Sequence, residues 1–568
     1  MAHSLQARLY AQLEKAPDRR ALAFIDYKGE FAWQSFWQIY HRAAGYNAAL
    51  ADLGYRPGDI CLLALPSNEF CAIMLLAALL RGSVPLLVAP PVLQDGPNSN
   101  LLHILKGILK RTHARLVIAH ETLEKNRAEL ESVDSSTRFI FGEKTIAPSE
   151  ATILSPIRPS ETATAALQLT SGTTGFPRIC CWQQKNVLAA LDGMTLAMGL
   201  TSDDVCLNWT PLYHDMGLVN NFFLCLTQGI PLAMLNPTDF VKQPARWLRG
   251  LHDTGATITW SPNFGYAITA QRVKNSEIVG VRLDHVRTFW NAAERIHLET
   301  VLAFYDRFTG YGVRREALKM NFGCAENVGG ATFTDLNEPF LYERVDTQKL
   351  QDERIAEPVP EKDYDRPAMW VVSAGRPHPY LRIKIGAEDG NFLTEGQVGE
   401  VMLETPSRMT EYLGQPEETE QAIRGNLLRT GDLGYLRHGE LFWTGRVRER
   451  ITIRGRKIDP SEFESILLKI PDLRAGSFAA FGVEDVKQGT ERIVIISEVN
   501  EPTAKNYAEI AEEVQGQVNH ELGVPLSDIV LVRKGLLIKT SSGKRRHRYF
   551  RDLYLQDKVE FLYKSRNG

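Results

Sequence analysis

Two glycines, four hydroxyl side chains and a cation fall within ten positions in the stretch Leu169-Thr170-Ser171-Gly172-Thr173-Thr174-Gly175-Phe176-Pro177-Arg178. Glycine has no Cβ and opens positive φ, so the backbone of such a stretch can come close to an anion. Successive N–H groups and hydroxyls then ring phosphate oxygens, with Arg178 adding charge. The Gly-Lys-Ser/Thr ending of a Walker loop is missing. On composition alone the stretch reads first as a solvated Ser/Thr-rich loop, and as a phosphate grip second. Further along, the residues able to do chemistry are His214 with Asp215, Glu326, Asp432, Arg446 and Lys544. The seven cysteines have no C-x-x-C spacing, and adjacent Cys180 and Cys181 cannot readily bridge. They fit a reduced, cytoplasmic compartment and no zinc site.

The elements that must position these groups follow from hydrophobic periodicity. The apolar run Thr164–Leu169 predicts a buried strand, and the Gly/Ser/Thr cluster the turn leaving it. Upstream, residues 5–13 and 33–53 predict amphipathic helices, and residues 21–25 a strand. Strand 60–65, helix 68–80 and strand 84–88 form a βαβ unit, which implies parallel strands and a right-handed crossover. Helix 100–111 and strand 114–119 repeat the theme. The first 150 residues therefore read as doubly wound α/β. The longest apolar run, residues 70–80, is too short to span a bilayer, and no integral membrane segment is expected.

A chain of 568 residues exceeds one small core, so two or more domains are expected. A formal charge of −3 favours neither nucleic acid nor an anionic membrane as main partner. From residue 398 short strands separated by glycines predict a β-rich subdomain. The chain turns basic near residues 445–457, where a hinge is expected. Residues 446–568 hold 22 Lys/Arg against 18 Asp/Glu, gathered near 446–457 and 533–551. The fold expected is α/β: a large N-terminal domain (1–445) of doubly wound mixed sheets with a β-rich subdomain at about 370–445, and a small mobile α+β C-terminal domain (446–568). Residues 331–369 hold one candidate strand at 340–346, then a charged, proline-rich run that reads as a surface excursion or an insertion.

The loop at 169–178 is followed in order by Pro211-Leu212-Tyr213-His214-Asp215-Met216-Gly217-Leu218, Asn321-Phe322-Gly323-Cys324-Ala325-Glu326, Arg429-Thr430-Gly431-Asp432-Leu433-Gly434, Thr444-Gly445-Arg446-Val447-Arg448-Glu449-Arg450-Ile451 and Lys539-Thr540-Ser541-Ser542-Gly543-Lys544. In this order and spacing the set resembles the adenylate-forming (acyl-activating) superfamily over essentially the whole chain. Tyr213–Gly217, Ser261-Pro262-Asn263-Phe264 and the 331–369 segment resemble its fatty acyl-AMP ligases, whose insertion is thought to restrain the small domain. The tail Gly455-Arg456-Lys457-Ile458-Asp459-Pro460 resembles acyl-CoA synthetases instead.

The resemblance implies ATP and Mg²⁺ as cofactors and assigns roles. Thr170, Ser171, Gly172, Thr173, Thr174, Gly175 and Arg178 hold the departing phosphates. Arg178-Ile179 stands where the family usually has Lys-Gly, which exchanges a point ammonium for a planar fork. Glu326, with Thr170, ligates Mg²⁺, an ion suited to hard oxygen donors. Asn291, Ala292, Ala293 and Glu294 line the adenine, mostly through backbone. Asn321, Phe322 and Gly323 lie beside them, with Phe322 where tyrosine is usual. Asp432 accepts from the ribose hydroxyls, Arg446 contacts ribose or phosphate, and Glu449 takes the hinge place. Lys544 bridges the substrate carboxylate and α-phosphate, and the basic run after it reads as mostly solvated or carrier-facing. His214, Asn263, Phe264 and Trp290 border the acyl site. His214 is not needed as a base, because a carboxylic acid is already ionised at neutral pH.

The implied activity is ATP-dependent conversion of a fatty acid to acyl-AMP, then acyl transfer to the phosphopantetheine thiol of an acyl carrier protein. CoA as acceptor is the near alternative. A nucleotide-binding regulatory module without turnover is the remote one.

Overall fold

The computed structural model describes every residue except 1–3, 91–99, 151–156, 171–175, 364, 448–450, 454–455, 486–489, 540–544 and 567–568. Two large sheets carry the N-terminal body. The first runs Glu411–Tyr412, Ile179–Gln183, Thr164–Leu169, Val84–Leu87, Ile60–Ala64, Leu116–Ala119, Arg138–Phe141. Its four strands from Val84–Leu87 onward are parallel to one another, as the βαβ pattern requires. Helix Glu69–Arg81 makes the crossover. The Asn68 side chain accepts from Cys71 N at 3.0 Å to start it, and Gly82 at φ +73° stops it. Phe70 through Leu80 are all buried, which explains the uninterrupted apolar run. Each such aliphatic side chain contributes roughly 1.5–3 kcal/mol by leaving water.

The second sheet has nine strands, in the order Arg376–Pro377, Gly329–Phe333, Leu318–Cys324, Thr288–Ala292, Ile258–Pro262, Cys206–Asn208, Leu232–Leu235, Arg20–Ile25, Gln34–Ser35. The expectation of one doubly wound unit in the first 150 residues is corrected here. Strand Arg20–Ile25 leaves that unit and pairs in parallel with Leu232–Leu235, Leu22 facing Leu232. Periodicity identifies a strand but carries no information about its partner. The helix expected at 33–53 begins later, at Phe36, because Ser35 and Gln38 form a reciprocal capping box.

A five-stranded antiparallel sheet follows, with Leu427–Arg437 between Gly399–Glu404 and Glu440–Arg446. The segment between the sheets is ordered as a hairpin: Tyr342–Asp346 pairs antiparallel with Ala368–Val372, with a π-helical turn at Lys349–Glu353 between them. The C-terminal part has its own four-stranded sheet, Leu473–Asp485, Thr490–Val499, Leu526–Val532, Tyr563–Arg566. Helix Tyr507–Leu522 packs on one face over a core including Phe463, Ile493, Ile495 and Val514, and helix His547–Leu555 on the other over Phe481, Val494, Ile496 and Phe550. Among the described residues no helix is long and apolar enough to cross a membrane.

Candidate active site

Strand Thr164–Leu169 delivers Thr170, and strand Ile179–Gln183 begins just after Arg178. These two residues close the base of the glycine-rich loop: Thr170 N donates to Arg178 O at 2.8 Å, and Arg178 N donates to Thr170 Oγ1 at 3.2 Å. Ser171, Gly172, Thr173, Thr174 and Gly175 lie outside the described residues. Ile179, which replaces a usual glycine, is fully buried and paired with Leu169. Its burial accounts for an apolar residue there.

The edge strand Glu411–Tyr412 pairs with Ile179–Gln183, placing Tyr412 opposite Cys180. The Arg178 guanidinium lies 4.5 Å from the centre of the Tyr412 ring. The Tyr412 hydroxyl donates to Glu326 Oε1 at 2.7 Å. Glu326 follows strand Leu318–Cys324, and its backbone oxygen accepts from Met409 N at 2.7 Å. Cys180, fully buried, and Cys324, half-buried, feel these acidic groups. Burial pushes Cys324 well up, and Glu326, Asp432 and Asp215 push it further. Cys180 rises from burial and then from Glu326. Glu326 is thus linked to Arg178 through the Tyr412 side chain, and its charge bears on both thiols. Among the described residues no group of three His, Cys, Asp or Glu could hold a metal. A single half-buried carboxylate suits Mg²⁺, which keeps most of its waters and takes phosphate oxygens.

Asp432 and Arg446 face each other across the antiparallel pair Leu427–Arg437 and Glu440–Arg446. Arg446 Nε donates to Asp432 Oδ1 at 3.0 Å, and Asp432 is 2 % exposed. Both line a cleft of ≈ 990 Å³, counting its open mouth, together with Ala293, Asn321, Phe322 and Gly323. Ala293 holds φ +73°, unusual for a residue with a Cβ, at the end of strand Thr288–Ala292. In the loop expected to line adenine through its backbone, the Glu294 side chain is engaged within the protein. Its carboxylate accepts from Phe264 N at 2.6 Å, and burial raises its pKa.

The far wall of the cleft comes from residues the sequence reading missed. Glu464 accepts from His297 Nε2 at 2.9 Å and pairs with Arg545, and Arg295 donates to Ser461 Oγ at 3.0 Å. Arg545 and His547, in the run read as solvated or carrier-facing, turn inward and line the cleft. His547 Nδ1 accepts from Ala480 N at 3.0 Å, and burial lowers its pKa to about 4. Lys539 Nζ lies 5.7 Å from the Phe264 ring centre, and burial with Arg545 beside it lowers its pKa to about 8. Asp459 fixes the turn into the small domain, accepting from Arg446 N at 3.0 Å and Ser461 N at 2.9 Å. Asp459 and Lys539 fall within the motifs at 455–460 and 539–544, whereas His297, Ser461 and Glu464 carry no such signal in the sequence. Glu449 and Lys544 lie outside the described residues.

Of the acyl-site candidates, Asn263 and Phe264 are tied to cleft-lining segments through hydrogen bonds to Asn291, His297 and Glu294. Asn263 Oδ1 accepts from Asn291 Nδ2 at 3.2 Å and from His297 N at 3.3 Å. His214 Nδ1 lies 2.6 Å from Asp215 Oδ1. Met216 N donates both to Asp215 Oδ1 at 2.8 Å and to His214 Nδ1 at 3.1 Å. Trp290 is fully buried, stacked on Trp260 at 5.4 Å and edge-on to Phe333 at 5.3 Å. It is part of the packed floor beneath the site and is not among the cleft-lining side chains.

A medium-chain fatty acid–acyl carrier protein ligase of Moorena producens is 31% identical over 456 residues, covering 78% of this chain and 76% of the relative. A fatty acid–CoA ligase of Mycobacterium tuberculosis, described as putative, is 27% identical over 604 residues, 98% of this chain and 99% of the relative. A solved structure from a study of fatty acyl-adenylate ligases of E. coli and L. pneumophila superposes with a TM-score of 0.89 at 25% identity, covering 97% and 98% of the two chains. The sequence pattern of the AMP-binding enzymes matches residues 9–413, well over half the chain, and with the cleft just described this establishes that the protein belongs to the AMP-binding enzyme family.

Proposed function

We propose that the protein uses ATP to activate a fatty acid, then transfers the acyl group to the phosphopantetheine thiol of an acyl carrier protein. In the first step a carboxylate oxygen attacks the α-phosphorus, the bond to the β-phosphate oxygen breaks, and pyrophosphate leaves. In the second the thiol sulfur attacks the acyl carbonyl, AMP departs, and the thiol proton goes to solvent. The observation that carries this reading is one cleft lined by Asp432 and Arg446, paired at 3.0 Å, together with Asn321, Phe322 and Gly323 of the strand that leads to Glu326. Such a group places fixed positive potential, a hard oxygen donor and a ribose acceptor side by side.

Roles follow from chemistry. Thr170 through Gly175 with Arg178 grip the leaving phosphates. Mg²⁺, held through Glu326 and Thr170, neutralises phosphate charge when bound. Ala293, Asn321 and Phe322 flank adenine; Asp432 and Arg446 hold ribose and phosphate. Lys544 comes from the small domain (446–568), with Glu449 at its hinge, and bridges carboxylate and α-phosphate. His214, Asn263 and Phe264 border the acid. A cytoplasmic location accords with this chemistry.

Carrier protein is preferred to CoA because the 331–369 hairpin engages the small domain: Gln351 Nε2 donates to Glu462 Oε2 at 2.5 Å, and the π-helical turn packs on Arg456–Ile458. Such contact opposes the rotation that admits CoA. The CoA reading keeps support from the Gly455–Pro460 tail and the M. tuberculosis relative. The test supplies ATP, Mg²⁺ and a panel of fatty acids, measures pyrophosphate exchange, and offers CoA and holo-carrier together. Acylated carrier in the mass spectrum supports the proposal, and acyl-CoA alone transfers it to the rival. No exchange with any acid leaves the regulatory module.

A further inference from the structure

The phosphate loop and the metal carboxylate are ordinarily treated as separate devices. Here one aromatic side chain touches both. Tyr412 is 2 % exposed, on a two-residue edge strand clamped by Thr410 N to Cys181 O at 3.0 Å and Leu413 N to Ile179 O at 2.8 Å. Arg178 covers its ring face and Glu326 takes its hydroxyl. Burial and the Glu326 charge raise the phenol's pKa, so it stays a donor at any working pH. A packed ring fixes the hydroxyl, and the hydroxyl fixes one carboxylate oxygen. The other oxygen of Glu326 has no partner among the described residues.

We propose that Tyr412 is a positioning residue that couples the cation at the base of the phosphate loop to the Glu326 carboxylate, holding one oxygen so that the other is presented to the metal of metal·ATP. The inference rests on the ATP-activating reading above. It also gives the Arg178 substitution a purpose: a planar guanidinium stacks on a ring face as an ammonium cannot. Arg178 therefore influences metal binding without touching Glu326.

The test uses the full chain and Mn²⁺, titrated by electron paramagnetic resonance in the presence of α,β-methylene-ATP. Tyr412→Phe keeps the ring and loses the hydroxyl. The expected result is a rise of about tenfold in the Mn²⁺ midpoint, the loss typical of an outer partner of a metal ligand, with the thermal midpoint near wild type. In pyrophosphate exchange the defect should lie in the Mg²⁺ requirement and be recovered at saturating metal. Arg178→Lys, an independent variant at a half-buried position, should raise the Mn²⁺ midpoint about threefold through loss of the planar stacking on the Tyr412 ring. If Tyr412→Phe does not fold, Arg178→Lys carries the test alone. An unchanged Mn²⁺ midpoint in the folded variants, whatever their thermal midpoints, overturns the proposal. Wild type that binds Mn²⁺ and analogue but never exchanges pyrophosphate sinks the function reading, while the coupling is still measured. Wild type that binds neither overturns both.

Discussion

At the scale of single residues, the cleft separates charges that touch substrate from charges that hold the walls. Lys544 is proposed for the first group by its place in the sequence. Lys544→Ala should lower acid-dependent pyrophosphate exchange by about 10²–10³-fold, as expected for losing one donor at a developing charge. Single-turnover measurement checks this, and the unfolding midpoint should stay unchanged. Glu294 belongs to the second group. Its carboxylate serves Phe264 N, so Glu294→Ala leaves a backbone donor unpaired in the interior. A loss of roughly 1–3 kcal/mol is expected, whereas Glu294→Gln keeps an acceptor and most of the stability; urea unfolding distinguishes the two.

Among the elements, the one to watch is the turn out of strand Glu440–Arg446. Gly445 sits at φ +155°, and a Cβ there would lie 2.0 Å from Asp459 Oδ2. Asp459 is fixed by Arg446 N and Ser461 N, so it cannot simply yield. Gly445→Ala should therefore displace Asp459 and the posture of the small domain, with little effect on the large sheets. Protease susceptibility at the hinge should rise while the large domain's thermal transition stays in place. Unaltered susceptibility and activity would show that the turn is more compliant than this packing implies.

At the scale of the whole molecule, the two parts meet through buried ionisable groups, which makes their union pH-dependent. His547 is buried neutral with its pKa lowered to about 4, beside Arg545, Asp459 and Glu464. The unfolded chain takes up that proton near pH 6.5, the native state only near 4. Stability is therefore retained above 6.5 and falls as pH drops through 6.5 toward 4, by up to about 3 kcal/mol. His547→Gln should flatten that part of a thermal-midpoint profile. The hairpin contact makes a separate prediction: replacing residues 347–366 by a short Gly/Ser linker should raise acyl-CoA yield relative to acyl-carrier. An unchanged ratio would show that Gln351 does not restrain the small domain.

Chemistry carried by runs of neighbours was legible in the sequence. The strand at 164–169, the βαβ unit at 60–87 and the ordered motifs from Thr170 to Lys544 are local patterns, and hydrogen-bond period and residue type specify them without reference to the rest of the fold. Tertiary structure alone decided what depends on distant partners. Strand Arg20–Ile25 lies beside Leu232–Leu235, and Tyr412 meets Glu326 across 86 positions. His297 reaches Glu464, and Arg545 turns inward because that carboxylate awaits it. Burial, not spelling, selects those pairs: a charge removed from water must find a counterpart, and only the folded chain brings one within reach.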